Sequence, residues 1–314
     1  MPLYYADRSV TFPLPPEHLR ERVGGAGFDY DDVGAACRRD FVALLPTTFE
    51  WAGARILDFG SGAGRTLRQF ETEAERPAEF WACDIDGESV EWMEANLCPP
   101  FRVFRNDVEP PLPFEDASLD VVYSMSVFTH LAATWSAWLL ELHRVLKPGG
   151  MLLATILGPG NEEELGRSWN DDRVGLLITM PYRDFKENHG GPIVFHSEWW
   201  VRAHWGRAFD VVHYWPWGFG LGGPEGTPRG QGCAALRKRD VALTTEDLEA
   251  PSDDPREWDA LVENLDVVHD REDAWRGLAE ARGAELEQLR ESRSWRIGQA
   301  VSRVLHPFDR RRGM

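Results

Sequence analysis

The chain has 314 residues, 43% of them hydrophobic, and a net charge of −18, enough apolar content to bury the core of one large domain with an appendage. So acidic a balance excludes a nucleic-acid substrate, because phosphate binding needs a cationic face. No window approaches about 18 uninterrupted apolar residues, and the opening "MPLYYADRSVTFPLPP" has proline where a signal peptide would have its apolar stretch, so the sequence reads as a cytoplasmic globular protein.

Residues 1–50 read as an N-terminal cap. Val33, Cys37, Phe41 and Leu44 recur at helical spacing and predict a helix over 31–45. From Arg55 short apolar runs alternate with amphipathic stretches: "RILDF", a helix over 65–73, "EFWACD", a helix over 89–97, "FRVFR", "LDVVYSM", a helix over 135–146, "KPGG" and "MLLATIL". Strand and helix at this pitch predict a Rossmann-like α/β domain over 51–240, its mostly parallel sheet sandwiched by helices. The rhythm breaks over 159–195, an insertion after a strand, and such insertions reach over the ligand crevice of an open sheet. "HSEWWVRAHWG" then reads as a helix that His196 opens, and "FDVVHYW" and "GCAALRKR" as strands joined by a glycine-rich hairpin loop. Cys37, Cys83, Cys98 and Cys233 have no metal spacing and read as reduced thiols in or near the core.

Residues 241–257, including "TTEDLEAPSDDP", are acidic and nearly free of large apolar groups, the composition of a linker. Over 258–314 Leu261, Leu265, Val268, Trp275, Ala279, Leu286 and Leu289 follow a three-four seam. That seam suits a short coiled coil joining two copies, or a single helix packed back on the domain. In the last 25 residues seven arginines face Glu291 and Asp309, so this stretch carries about +5 and the remainder about −23. Its apolar face, Ile297, Val301, Val304, Leu305 and Phe308, suits either a helix lying on an anionic membrane face or a basic end docked on an acidic body.

"ILDFGSGAGR", residues 56–65, is the chemical core of the sequence. An apolar strand ends in Asp58 and runs into Gly60, Gly62 and Gly64, which lets a ligand approach bare backbone at the N-terminus of the next helix. A dinucleotide fingerprint would require glycine at 65, where the chain has Arg65. The loop is instead D-x-G-x-G-x-G. With "FWACDID", "FRVFRNDVEPPLPF", "PFEDASLDVVYSMSVFTHL" and "ELHRVLKPGGMLLATI" following in order, residues 55–156 resemble the class I S-adenosylmethionine-dependent methyltransferases of the type 11/12 kind, and the resemblance extends more weakly to Arg239.

That resemblance implies a seven-stranded fold and S-adenosyl-L-methionine as cofactor. It places Asp58 near the ammonium of the methionine moiety and passes Gly60, Ser61, Gly62 and Gly64 beneath it. Asp84, with Ile85 beside it, would hold the ribose, Asp107 and Val108 would bracket the adenine, and Ser124 would line the floor. Asp86 competes with Asp84 for the ribose but sits where a helix N-cap is wanted. No metal is implied. Methyl transfer to a hydroxyl needs alignment and a base. His130 and His196 are the candidate catalytic bases, with His189 nearby and a structural role as the alternative for each. "SMSV" stands where amide and base N-methyltransferases carry an "NPPY"-type segment, which disfavours those acceptors. Trp215, Trp217 and Phe219 offer faces that would stack on a sugar ring. "SRSWR" is similar to a segment of bacterial surface-polysaccharide enzymes, and so implies a glycan or glycosylated small molecule as partner, at the inner membrane face. A natural-product or lipid acceptor, and a non-catalytic cofactor-binding scaffold, are the other readings.

Overall fold

The computed structural model describes residues 10–23, 29–75, 78–166, 168–179, 192–266 and Ala284. Met1–Asn264 form one compact unit, and Leu265–Met314 a second in which Leu265, Asp266 and Ala284 are described. Most of the expected coiled-coil seam, from Val268 on, and the whole arginine-rich tail lie outside the described residues.

Helices and strands alternate from the start: α1 (Glu17–Glu21), α2 (Tyr30–Leu44), β1 (Arg55–Phe59), α3 (Glu71–Ala74), β2 (Glu79–Asp84), α4 (Gly87–Leu97), β3 (Arg102–Arg105), β4 (Leu119–Ser124), α5 (Trp135–Val145) and β5 (Leu146–Ile156). Then follow α6 (Glu162–Leu165), β6 (Leu176–Ile178), β7 (Val194–His196), α7 (Glu198–His204), β8 (Phe209–Trp215), β9 (Gly232–Lys238) and α8 (Thr245–Glu249).

Seven strands form one sheet in the order β3-β2-β1-β4-β5-β9-β8. The five from β3 to β5 run parallel, and β9 is antiparallel to both of its neighbours. This is the expected class I methyltransferase fold. The central strands β1, β4 and β5 are mostly buried on both faces, as a sheet covered on two sides requires, while the edge strands β3 and β8 are partly exposed. Leu57, Val122 and Leu152 meet Trp138, Leu142 and Trp205 on one face, while Ile56, Val121 and Leu153 meet Phe41, Phe70 and Met93 on the other. Because β9 inserts antiparallel, Ile156 pairs with Gly232 and Trp215 with Cys233. The loop between β8 and β9 therefore returns to the edge where the parallel strands end.

Four local expectations are corrected. The helix expected over 65–73 is a tight turn over Leu67–Phe70 followed by the single turn of α3. His196 does not open a helix: it ends β7, which pairs with β6 inside the expected insertion, and Ser197 caps α7 through the Trp200 N–H. Phe219 is buried against Phe41, ring centroids 4.5 Å apart, so it offers no face to a ligand. Residues 241–257 are not a free linker. Leu248 is fully buried, Arg207 Nη1 donates to the Asp247 and Ala250 carbonyls, and the buried His204 ring bridges the Leu248 carbonyl (2.8 Å) and Glu257 (3.0 Å).

Candidate functional site

Connections leave the sheet in opposite directions on either side of β1 and β4, and in an open α/β sheet that switch point opens a crevice beyond the carboxyl ends of the strands. The glycine loop lies there. Gly60, Gly62 and Gly64 have φ of +77°, +54° and +76°, a region that costs a residue with a Cβ about 1–2 kcal/mol. Space is tight as well: a Cβ on Gly60 would lie 2.1 Å from Val127 Cγ2, and one on Gly62 2.4 Å from Val23 Cγ1.

The loop is locked to the end of β2. Gly60 and Ser61 both donate their N–H to the Cys83 carbonyl at 3.0 Å, and Gly62 donates to Asp84 Oδ2 at 2.7 Å. Asp84 Oδ1 accepts the Asp86 N–H at 2.9 Å. Burial raises the Asp84 carboxyl above its ordinary value, and these backbone donors oppose that rise. Each oxygen keeps a lone pair beyond its backbone donor, as a bidentate grip on two hydroxyls needs. Asp86 does occupy the N-cap position of α4, but its carboxylate takes the Ser89 hydroxyl and Arg22, each at 2.6 Å.

Asp58 is 1% exposed, and desolvation pushes its carboxyl up to about 8. Its register partner Tyr123 holds the rise back, yet Asp58 Oδ2 and the Tyr123 hydroxyl both lack a hydrogen bond of normal geometry. Ser124 Oγ is likewise buried without a partner. Asp107 and Val108 stand exposed just beyond β3, and Ile85, half-buried, offers its carbonyl to Arg105 Nε at 3.0 Å.

The two histidines fare differently. His130 ends the turn after β4, and its Nδ1 lies 2.8 Å from the Pro192 carbonyl. A carbonyl only accepts, so Nδ1 carries a proton in this contact. His196 is wholly buried against the Trp200 and Trp205 rings, and neither ring nitrogen has a partner. Desolvation pulls its imidazole down to about 3, which corrects its assignment as a base. His189 lies outside the described residues.

Sequence reasoning gave an N-terminal cap and a glycine-rich loop but not the contacts that seat them at the two sides of the crevice. On one, Arg22 grips Asp86 (2.6 Å) and Glu88 (2.7 Å) while Arg65 donates to the Val23 carbonyl, so the segment after α1 lies over the glycine loop. On the other, the β8–β9 loop is seated on the end of β5: a Cβ on Gly160 would fall 2.3 Å from the Gly230 carbonyl and 2.6 Å from Trp217 Cβ. Within that loop Gln231 Nε2 donates to Ser126 Oγ at 3.0 Å. The paired glycines were a legible signal for the second contact, whereas the Arg22 ion pairs had none.

Residues 57–154 match the family model of the methyltransferase domain. The matched span begins in β1, contains the glycine loop, Asp84 and His130, and ends in β5. Two curated proteins are similar to the chain. Phthiotriol/phenolphthiotriol dimycocerosates methyltransferase 1 of Mycobacterium ulcerans is 35% identical over 46% of this chain and 52% of its own length. Malonyl-[acyl-carrier protein] O-methyltransferase 1 of Coxiella burnetii is 30% identical over 57% of this chain and 60% of its own. The chain thus spans about half the length of these relatives. A solved S-adenosylmethionine-dependent methyltransferase from Mesorhizobium loti is similar with a TM-score of 0.48 at 18% identity, over 66% of this chain and all of that one.

The domain match supports S-adenosylmethionine as cofactor, and the residues fit that group. Asp58 Oδ2 and the Ser124 hydroxyl, both buried without a hydrogen-bond partner, suit an ammonium and a polar moiety. The backbone-anchored Asp84 stands ready for a ribose. Among the described residues no cluster of His, Cys, Asp or Glu could hold a metal ion, and no helix is long and apolar enough to cross a membrane.

Proposed function

We propose that the chain is an S-adenosylmethionine-dependent methyltransferase that methylates a hydroxyl oxygen, with a sugar hydroxyl of a glycan or glycosylated small molecule as the acceptor. The observation that carries the oxygen acceptor is the pinned tautomer of His130. The turn bearing it begins beside Val127, which presses on Gly60 of the cofactor loop. When bound, the cofactor supplies a methyl group on a cationic sulfonium. Asp84 holds the ribose through its two anchored oxygens, and Asp58 offers its buried carboxylate to the ammonium. His130 takes the proton of the acceptor hydroxyl while the Pro192 carbonyl orients and supports the ring through Nδ1.

The acidic chain favours a cationic cofactor. The Coxiella relative is named an O-methyltransferase, which accords with an oxygen acceptor. The sugar rests on the "SRSWR" resemblance. A lipid hydroxyl is the second reading, favoured by the Mycobacterium relative, named for phthiotriol dimycocerosates.

The test is incubation with labelled S-adenosylmethionine and fractionated extract of the source organism, alongside calorimetry with S-adenosylhomocysteine. Label in a glycan fraction is expected. Label confined to lipid selects the second reading, and failure to bind S-adenosylhomocysteine removes the methyltransferase reading altogether.

A further inference from the structure

Ser126, two residues past β4, holds φ of +61° although it has a side chain. Left-handed residues of this kind gather where function over-determines the backbone. Its N–H is tied to Thr155 Oγ1 of β5 at 2.6 Å, and its neighbour Val127 is the residue that presses on Gly60. Ser126 is therefore a fixed point on the acceptor side of the glycine loop.

Proton counting fixes what Ser126 does to Gln231. Thr129 Oγ1 donates its only proton to the Ser126 carbonyl at 2.8 Å. The contact between the two hydroxyls, 3.0 Å, must then use the proton of Ser126 Oγ. Ser126 Oγ has only lone pairs left for Gln231, so the amide atom facing it at 3.0 Å is the NH2 group. The carboxamide cannot flip, and Gln231 Oε1 is held as an acceptor facing elsewhere. That oxygen is buried and has no partner, and Trp217 Nε1 on the same loop is a buried donor with none. Buried polar atoms are nearly always paired, and these two, of opposite sense, lie on one loop at the carboxyl edge.

We propose that Gln231 Oε1 is the acceptor-recognition group of this site, taking a hydrogen bond from a hydroxyl or N–H of the methyl acceptor, with Ser126 and Thr129 as positioning residues. A carbonyl oxygen offers nothing to a carboxylate, so the acceptor presents a neutral hydrogen-bond donor there, as an alcohol does and an ionised acid does not. This rests on the methyltransferase reading and deepens it to an acceptor class.

Gln231→Met, Gln231→Glu and Ser126→Ala separate the outcomes. With the acceptor fraction that the unaltered protein labels, Gln231→Met raises the acceptor KM at least about tenfold with little change in kcat, as loss of uniform binding does. Gln231→Glu keeps an acceptor oxygen and recovers part of that loss, and S-adenosylhomocysteine affinity stays within about twofold throughout. Ser126→Ala frees the amide to flip and raises the same KM less. An unchanged acceptor KM in Gln231→Met overturns the proposal, as does a loss confined to kcat.

Thermal unfolding of the unliganded protein decides independently of any acceptor. Gln231→Met removes an unmatched carbonyl, a gain, together with the Nε2 hydrogen bond to Ser126 Oγ, a loss of similar size, and so moves the midpoint by less than about 2 degrees. A fall of several degrees would show Gln231 to be structural and overturn the proposal. Failure of the unaltered protein to bind S-adenosylhomocysteine would instead count against the methyltransferase reading and leave the unfolding result standing by itself.

Discussion

The backbone N–H of Gly62 points at Asp84 Oδ2 across 2.7 Å, so the second glycine of the loop and the carboxylate at the end of the neighbouring strand act as one unit. Asp84→Asn loses a charge and one acceptor lone-pair set at that junction. Charged hydrogen bonds contribute about 1.5–3 kcal/mol each, so S-adenosylhomocysteine affinity should fall roughly 10- to 100-fold by calorimetry. Gly62→Ala should do comparable damage from the other partner, because its Cβ meets Val23 and its φ is +54°.

Asp58 gives the domain a pH dependence. In the folded chain its carboxyl holds a proton to about 8, whereas an unfolded chain releases it near the ordinary aspartate value of 3.8. Between those values the folded state binds more protons, so stability falls as pH rises and levels off above about 8. Cofactor affinity moves the other way, since the ammonium wants the ionised carboxylate: it should rise by up to about tenfold per unit towards pH 8 and then flatten. Asp58→Asn should flatten both profiles, and a wild-type affinity independent of pH from 6 to 8 would show that Asp58 does not face the ammonium.

The two histidines separate cleanly. His130→Ala should cost roughly 10²- to 10⁴-fold in kcat, the range of general-base catalysis, with S-adenosylhomocysteine affinity within about twofold. His196→Leu should leave turnover near normal and stability equal or better, because an apolar side chain replaces an imidazole with no hydrogen-bond partner among aromatic rings.

Arg22 ties the segment after α1 to the start of α4 through Asp86 and Glu88. Removing it with Arg22→Ala should speed S-adenosylhomocysteine dissociation several-fold, with little change in the association rate, in stopped-flow fluorescence. High salt should reproduce part of that effect in the unaltered protein, since Glu88 is half exposed.

The sheet and the cofactor half of the site were legible because their signals are local. Gly60, Gly62 and Gly64 follow an apolar run ending in Asp58, and Asp84 ends the next. His196 was misplaced because β7 forms by pairing with Leu176–Ile178, across the insertion, and by bridging to Leu157. The supposed linker failed for a related reason. Its acidic composition was read correctly, but the buried partners of Leu248 and Glu257 come from α7, some 50 residues earlier. Gln231 and Ser126 are 105 residues apart and neither belongs to a periodic pattern, so that pairing had no local signature.

Gly160, Gly230 and Gly232 bring three strands of backbone into direct contact, with no room for a side chain between the end of β5 and the β8–β9 loop. The two ends of that loop are therefore seated backbone to backbone against the segment after β5. Selectivity on that side is a matter of which side chains decorate that seated backbone. Exchanging Trp217 or Gln231 should retune the acceptor range without redesigning the loop, whereas a single methyl group at Gly160 should disorganise the pocket as a whole.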